Sequence, residues 1–241
     1  NVFQLHAVDR NGETVLKRRL SPDTWISVLT KSAEPGCEIG MEACGGAHHW
    51  ARLLMAKGFK VKIIPPQFVT PYVKSNKNDA KDAEAICEAM SRPTMRFIKA
   101  KTVEQQDYQA THRIRSELMC HRTAKANQIR GLVTEYGLVA PLQMASLRAA
   151  IPRWLEDADN GLTDRFRALL HGLWDDLLTL DQRIETLNGD IESIAKNDPV
   201  ARRLQQLRGV GPLVATALIA TVGNGGQFSK GRQMAASLGL T

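Results

Sequence analysis

Residues 37–64, CEIGMEACGGAHHWARLLMAKGFKVKII, decide the fold class of this chain. The run 37–41 predicts a strand, and the Gly45-Gly46 pair that follows breaks it. Residues 47–57 predict a helix with apolar side chains on one face, and residues 60–64 predict a further strand that two prolines close. A strand, a helix and a strand in this order indicate a domain that mixes helices with a β-sheet.

The flanking segments extend this pattern over the first 101 residues. Asn11-Gly12 lies between two apolar runs, 2–8 and 13–20, and favours a hairpin turn between two strands. Residues 78–90 predict a helix and residues 95–98 predict a fifth strand. We therefore expect residues 1–101 to form an α/β domain with a mixed sheet.

The middle of the chain, residues 102–198, is predicted to be a helical coiled-coil region. Residues 102–136 predict one long basic helix, which either lies beside nucleic acid or presents a solvated face. A second long helix is predicted from apolar residues spaced alternately three and four positions apart, a heptad pattern interrupted by one pair of consecutive four-residue steps. These residues are Leu162, Phe166, Leu169, Leu173, Leu177, Leu180, Ile184, Leu187, Ile191 and Ile194. Its partner is the basic helix, another subunit, or both.

The last segment, residues 199–241, combines two short helices with a glycine turn. It holds 5 basic residues and no acidic one. Gly209 and Gly211 frame the turn and Arg208 precedes it, a pattern typical of a helix-hairpin-helix. Free N–H groups at the start of the second helix can bind phosphate oxygens, although such turns also join packed helices without any ligand.

Composition excludes several classes of protein. The chain has 241 residues, 43% of them hydrophobic, which is too apolar for a disordered or collagen-like chain. It has no apolar run of membrane-spanning length and no secretory signal, so we expect a soluble, cytoplasmic protein without a membrane partner. The four cysteines match no zinc pattern.

The net charge of +7 indicates an anionic partner, and a set of basic and glycine residues is predicted to contact nucleic acid. The set is Lys74, Lys77, Lys81, Arg113, Arg122, Arg208, Gly209 and Gly211.

Three acidic residues are candidates for metal-dependent chemistry. Glu42 follows a predicted buried strand, and Asp79 and Asp82 lie three residues apart near the start of a predicted helix. Converging carboxylates could hold Mg²⁺ or Mn²⁺ for phosphodiester chemistry. In the alternative interpretation, the aspartates only complement the positive end of the helix and Glu42 caps a turn.

Five runs carry a resemblance to a known family: residues 41–50 (MEACGGAHHW), 64–86 (IPPQFVTPYVKSNKNDAKDAEAI), 92–97 (RPTMRF), 209–212 (GVGP) and 235–241 (AASLGLT). They resemble the DEDD transposases of the insertion-sequence one-ten family, in particular its one-one-one-one branch. The resemblance covers essentially the whole chain. It implies a RuvC-like, ribonuclease-H-type domain, a coiled coil and a C-terminal transposase domain that contains the helix-hairpin-helix.

The resemblance also implies an activity, cofactors and partners. Glu42, Asp79 and Asp82 match the second, third and fourth acids of the family, which bind Mg²⁺ or Mn²⁺ and catalyse DNA strand cleavage and exchange. DNA, an element-encoded guide RNA and further copies of the chain are the implied partners, and the bacterial nucleoid is the implied place of action. The first acid would precede Asn1 and a nucleophilic serine would follow Thr241, so we expect a chain that is incomplete at both ends and inactive alone.

Two other functions stay open at this point. A structure-specific nuclease, such as a junction resolvase, shares the fold and the carboxylates, and a non-catalytic nucleic-acid-binding fragment shares the basic segments. The acid-free last segment and the long coil favour the transposase, because a small resolvase needs neither.

Overall fold

A computed structural model of the chain describes residues 2–73 and 78–240. It divides into two compact units, the first formed by Asn1–Thr102 with Gly226–Thr241 and the second by Val103–Gly225. The first unit contains all the strands of the described residues, and the second contains only helices and their connections. The chain is therefore a mixed α/β protein with a large helical share.

Among its described residues, the first unit has four strands, which form two small sheets. β1 (Phe3–Val8) pairs antiparallel with β2 (Thr14–Leu20), and β3 (Glu38–Glu42) pairs parallel with β4 (Lys60–Ile64). The turn between β1 and β2 forms at the predicted Asn-Gly pair. There the Asp9 carboxylate accepts hydrogen bonds from the backbone N–H groups of Asn11 (2.8 Å) and Glu13 (2.9 Å).

The predicted fifth strand, residues 95–98, is reduced to a single bridge. Ile98 donates a backbone hydrogen bond of 2.9 Å to Ile63 of β4 and forms an isolated antiparallel bridge there. Met95 and Phe97 instead pack into an apolar cluster with Ala85 and Ala89. The chain thus meets β4 at one residue only, which is too little for a strand.

The α-helices between Trp25 and Met90 pack with the sheets of the first unit. They are α1 (Trp25–Ser32), α2 (Ala47–Ala56), the single turn α3 (Pro66–Val69) and α4 (Asp79–Met90). α4 lies close to β3 because Gly40 has no side chain, and a Cβ atom there would overlap Met90. Burial of Trp25, Leu54 and Phe59 forms the other part of the core.

Five helices form the second unit: α5 (Val103–Thr134), α6 (Met144–Glu156), α7 (Asp164–Asn197), α8 (Pro199–Leu204) and α9 (Pro212–Val222). A further helix, α10 (Gly231–Ser237), follows in the last part of the chain, which belongs to the first unit. The predicted long helices at 102–136 and 162–194 are thereby confirmed as α5 and α7.

α5 and α7 form an antiparallel pair within the chain. Their polar contacts run in opposite directions along the two helices, from Arg115–Asn188 at one end to Lys125–Asp176 at the other. Ala126, Ile129 and Val133 of α5 share an apolar cluster with α7. The basic face of α5 meets the acidic face of α7, so opposite charge supports the apolar contact.

The apolar seam of α7 differs from the prediction at one residue. Leu170 is fully buried, whereas Leu169, which we had placed in the seam, is 58% exposed. From Leu170 onward the buried positions Leu170, Leu177, Ile184 and Ile191 recur every seven residues. Counting back seven residues from Leu177 leads to Leu170, which therefore lies on the buried face of α7. Leu169, one position earlier, is turned toward solvent.

None of the described helices is both long enough and apolar enough to cross a membrane.

Candidate active site and nucleic-acid interface

The three candidate acids line one cavity of about 610 Å³ in the first unit. Glu42 comes from the end of β3, and Asp79 and Asp82 come from the first turn of α4. Glu42 and Asp82 are half-buried and Asp79 is exposed. The fold therefore brings to one cavity residues that lie about 40 positions apart in the sequence.

Local structure explains the placement of each acid. β3 pairs with β4 as far as Glu42 and Ile64, and the N–H group of Ala43 donates to the Ile64 carbonyl at 2.9 Å. α4 begins at Asp79 because the Asn78 side chain caps it, accepting a 3.0 Å hydrogen bond from the N–H group of Lys81. Gly40 lets α4 approach β3 at Ile86 and Met90, and the first turn of α4 lines the same cavity as Glu42.

Carboxylate oxygens fit a hard divalent cation such as Mg²⁺ or Mn²⁺. Within residues 2–73 and 78–240, however, no group of three or more His, Cys, Asp or Glu side chains is close enough to share one metal ion. The carboxylates of the three acids are suitable metal ligands, and they line the same cavity. In the described residues, however, they are not close enough together to bind one ion at the same time.

Three aromatic side chains form another wall of this cavity. The rings of Phe3 and Trp25 stack at 4.6 Å, and Trp50 meets both edge-on at 5.3 and 5.1 Å. The tryptophans are too dispersed in the sequence for a base-stacking platform, and their predicted role is packing. Trp25 of α1 and Trp50 of α2 pack together in one apolar cluster with Leu54 and Phe59.

A pair of hydrogen bonds beside the cavity has no clear signature in the sequence. The Nδ1 atom of His48 accepts from the backbone N–H group of Lys101 at 3.2 Å, and Arg52 donates to the carbonyl of Lys101 at 2.6 Å. Burial lowers the pKa of His48, and the positive charges of Lys101 and Arg52 lower it further. Neutral His48 can accept the hydrogen bond, so this environment favours the form that the contact needs.

The basic residues predicted to contact nucleic acid lie in different surroundings. Arg113 on α5 is exposed and Lys81 on α4 is half-buried, while Lys74 and Lys77 lie outside the described residues. Arg122 lies 3.4 Å from the Asp181 carboxylate, which also binds Arg148 at 2.5 Å. Arg122 thus contributes to the packing of α5 on α7.

The predicted glycine turn joins α8 to α9. Gly209 has a φ of +86°, which favours glycine, and Gly211 is extended at the start of α9. Both glycines and Arg208 are exposed, and open space surrounds the positions that a Cβ atom would take at the two glycines. The other side of α9 is buried through Ala215, which belongs to a cluster with Tyr108 of α5. The turn is thus anchored by the buried face of α9, while its glycines are exposed to solvent.

Comparison with known proteins shows two family matches. Residues 2–138 match the model of the DEDD transposase of IS110, described as a transposase. Residues 201–241 match the model described as transposase, IS116/IS110/IS902 family. The first match contains the three candidate acids, and the second contains the glycine turn.

Individual relatives give the same result over the whole chain. The chain is 44% identical over 240 residues to a family 20 transposase of Pseudomonas aeruginosa, covering 99% of this chain and 70% of that protein. It is 43% identical over 240 residues to the transposase for insertion sequence element IS1111A of Coxiella burnetii, covering 100% of this chain and 65% of that protein. It is 36% identical over 242 residues to the transposase for IS1328 of Yersinia enterocolitica, covering 100% of this chain and 70% of that protein. The chain belongs to the IS116/IS110/IS902 family of insertion-sequence transposases.

Proposed function

We propose that this chain supplies Glu42, Asp79 and Asp82, which hold Mg²⁺ or Mn²⁺, to the metal-dependent reaction by which a transposase cleaves and exchanges DNA strands. The observation that carries the proposal is the shared cavity, to which β3 and α4 contribute all three carboxylates. The arrangement agrees with a RuvC-like, ribonuclease-H-type active site. Such a function also accounts for the position of the acids in the segment that matches the family model.

Charge gives a physical reason for the metal. Three carboxylates around one cavity repel a phosphodiester, so DNA can approach them closely only when cations neutralise them. A divalent cation held by these oxygens would stabilise the charge that develops on the phosphate during cleavage. The half-buried Glu42 and Asp82 would orient the bound cation, since their positions are fixed by β3 and the first turn of α4.

We propose the turn between α8 and α9 as a helix-hairpin-helix contact to the DNA backbone. Gly209 and Gly211 leave the turn open, and Arg208 can neutralise a phosphate. Arg113 on α5 and Lys81 on α4 extend the basic contacts, and Lys74 and Lys77 are proposed for the same role. Arg122 is proposed as a further contact to nucleic acid, in addition to its ion pair with Asp181. An element-encoded guide RNA is proposed as a second nucleic-acid partner, held by the same kind of contact, and the nucleoid as the place of action.

The α5–α7 pair is the proposed site of self-association, as a coiled coil between copies of the chain. A groove of about 670 Å³ runs between the two helices and is lined by Leu132, Leu169 and Leu173. Leu169 is 58% exposed and Leu132 is 39% exposed, so apolar surface remains after the two helices have packed. Burial of this surface by a second copy would stabilise a homo-oligomer.

A second candidate is a module that binds nucleic acid without cleaving it. The observation in its favour is that the described acids do not gather around one point. A junction-resolving nuclease would use the same acids, so the choice among the three functions depends on metal binding, on cleavage and on the DNA substrate that is cut.

Metal titration of the whole chain tests the proposal directly. Mn²⁺ binding, followed by calorimetry, is expected to weaken at least tenfold in Asp79→Asn and Asp82→Asn, because each removes a charged ligand. Glu34→Gln, an exposed acid of the same unit, is the matched control and should bind Mn²⁺ like the wild type. DNA binding should persist in all four proteins and fall steeply with salt. Equal Mn²⁺ binding by the wild type and both aspartate variants would contradict the metal site and leave the binding module.

A further inference from the structure

Two side chains of α2 hold the backbone of a single distant residue. The N–H group of Lys101 donates to Nδ1 of His48 at 3.2 Å, and the carbonyl of Lys101 accepts from Nη1 of Arg52 at 2.6 Å. His48 and Arg52 are four positions apart, so they lie on the same face of α2, one turn from each other. Together they satisfy both backbone polar groups of Lys101.

The segment that contains Lys101 is fixed by other contacts as well. Met95 and Phe97 pack beside α4, and Ile98 forms the bridge to Ile63 of β4. Lys101 follows three residues later, and α5 begins two residues after it, at Val103. Residues 95–101 therefore connect α4, β4 and α2 in turn, and they end at the start of the long basic helix.

The other end of this contact lies close to a candidate acid. His48 is the second residue of α2, and only the turn 43–46 separates that helix from Glu42. The turn contains Gly45 and Gly46, both exposed, and Gly46 has a φ of +85°. Glycine backbone is the most flexible kind, and no side chain caps α2 at this end. Backbone hydrogen bonds from Ala43 to Ile64 (2.9 Å) and from Ala47 to Cys44 (3.2 Å) hold the ends of the turn, and the contact of His48 with Lys101 adds a further attachment in the first turn of α2.

We propose that His48 and Arg52 are positioning residues of the candidate active site. By holding the peptide unit of Lys101, they attach the first turn of α2 and, through the short turn 43–46, add to the support that β3 gives Glu42. This role rests on the proposed function only where it concerns metal binding. The structural connection from Lys101 through the His48 hydrogen bond to residues 42–47 does not depend on that function.

The chain offers matched variants for the test. His48→Asn keeps an acceptor, because the Asn Oδ1 atom is bonded to Cγ just as His Nδ1 is, whereas His48→Ala removes it. Arg52→Met removes the donor but keeps an apolar stem. His49→Ala is the control, since His49 is the exposed neighbour whose ring lies against Trp50 at 4.7 Å.

Hydrogen exchange of the full chain, followed by mass spectrometry, measures the link. In His48→Ala and Arg52→Met, exchange in peptides covering residues 98–103 and 42–47 should rise about tenfold, as expected for loss of one hydrogen bond. His48→Asn and His49→Ala should exchange like the wild type. Equal exchange at residues 42–47 in His48→Ala and His49→Ala would overturn the proposal, as would failure of His48→Asn to restore protection.

Mn²⁺ titration of the same proteins separates this proposal from the preceding one. His48→Ala should raise the Kd for Mn²⁺ although all three acids remain, and His48→Asn should restore it. If the wild type binds no Mn²⁺, the proposed function fails, and the exchange experiment still decides the positioning role. If His48→Ala alters exchange at residues 42–47 but leaves a measurable Mn²⁺ affinity unchanged, Glu42 does not depend on the link and the proposal is wrong.

Discussion

The Nε2 atom of His112 on α5 lies 2.9 Å from the Oγ1 atom of Thr216 on α9. Thr216 is fully buried, and its hydroxyl also lies 2.8 Å from the Pro212 carbonyl, to which it donates. Its oxygen therefore accepts the proton on Nε2 of His112. His112 belongs to the segment that matches the first family model and Thr216 to the segment that matches the second, so this bond joins both segments in one compact unit.

Thr216→Val should destabilise the second unit, because Val has the shape of Thr but cannot accept from His112. Because His112 is half-buried, its unsatisfied donor should cost about 1 kcal/mol in the free energy of unfolding, the low end of the range for a buried donor. Thr216→Ser keeps the hydroxyl and should retain more of the stability, apart from the loss of one methyl group. Urea unfolding of the three proteins measures the difference, and a Val variant as stable as the wild type would show that the bond contributes nothing.

Protonation of His112 should make the free energy of unfolding depend on pH. Burial lowers the pKa of His112, and the neighbouring charge of Arg115 lowers it further. In the unfolded chain histidine binds a proton at a higher pH, near its ordinary value of 6.5, so the unfolded state gains protons first as the pH falls. Stability from this group is present above pH 6.5 and is lost as the pH decreases toward the lower pKa of the folded state.

Unfolding midpoints of the wild type and His112→Gln between pH 7.5 and about pH 5 test this sign. The wild type should lose more stability over this interval than the variant. His48, whose pKa is also lowered, contributes in the same direction to both proteins and cancels from the comparison. A steeper loss in His112→Gln would contradict the assignment.

Two adjacent leucines of α7 should differ sharply in their contribution to stability. Leu170 is fully buried, and Leu170→Ala should lower the free energy of unfolding by about 2–5 kcal/mol through lost apolar contact and a residual cavity. Leu169 is 58% exposed, and Leu169→Ala should change it by about 0.5 kcal/mol or less in the isolated chain. Chemical denaturation checks both values, and similar losses would place Leu169 in the seam after all.

Leu169→Ala has a second use, because Leu169 lines the groove proposed for self-association. Light scattering over a range of concentrations should show weaker association in this variant. Unchanged association would exclude that groove as the contact between copies.

Gly209 should tolerate Asn better than Ala. Its φ of +86° lies in the left-handed region, where a Cβ atom costs about 1–2 kcal/mol and Asn is tolerated better than other residues. Gly209→Ala is therefore expected to distort the turn, to lower stability and to weaken DNA binding, while Gly209→Asn keeps the turn. Thermal unfolding and a salt series of DNA affinity measure the two effects. Equal behaviour of Ala and Asn at this position would show that the left-handed turn is not needed.

Local sequence features predict most of the helices. α4 begins where Asn78 can cap it and carries Asp79 and Asp82 in its first turn, as their spacing predicted. α7 begins after Thr163, whose side chain accepts from the N–H group of Phe166 at 3.2 Å, and it continues through the whole heptad pattern. Caps, turns and periodicity act within a few residues, so they can be identified from the chain alone.

The sequence by itself therefore predicted α2, α4, α5 and α7, the hairpin turn at Asn11-Gly12, the family and the set of candidate acids, whereas α6 was not predicted. Only the tertiary structure decided which of these residues meet. It brought Glu42 and the aspartates to one cavity, paired Arg122 with Asp181, and chose Leu170 over Leu169 for the seam. It also revealed the hydrogen bonds of His48 and Arg52 to the backbone of Lys101. These contacts join residues that are distant in sequence, and they depend on how helices and strands pack, which no local pattern specifies.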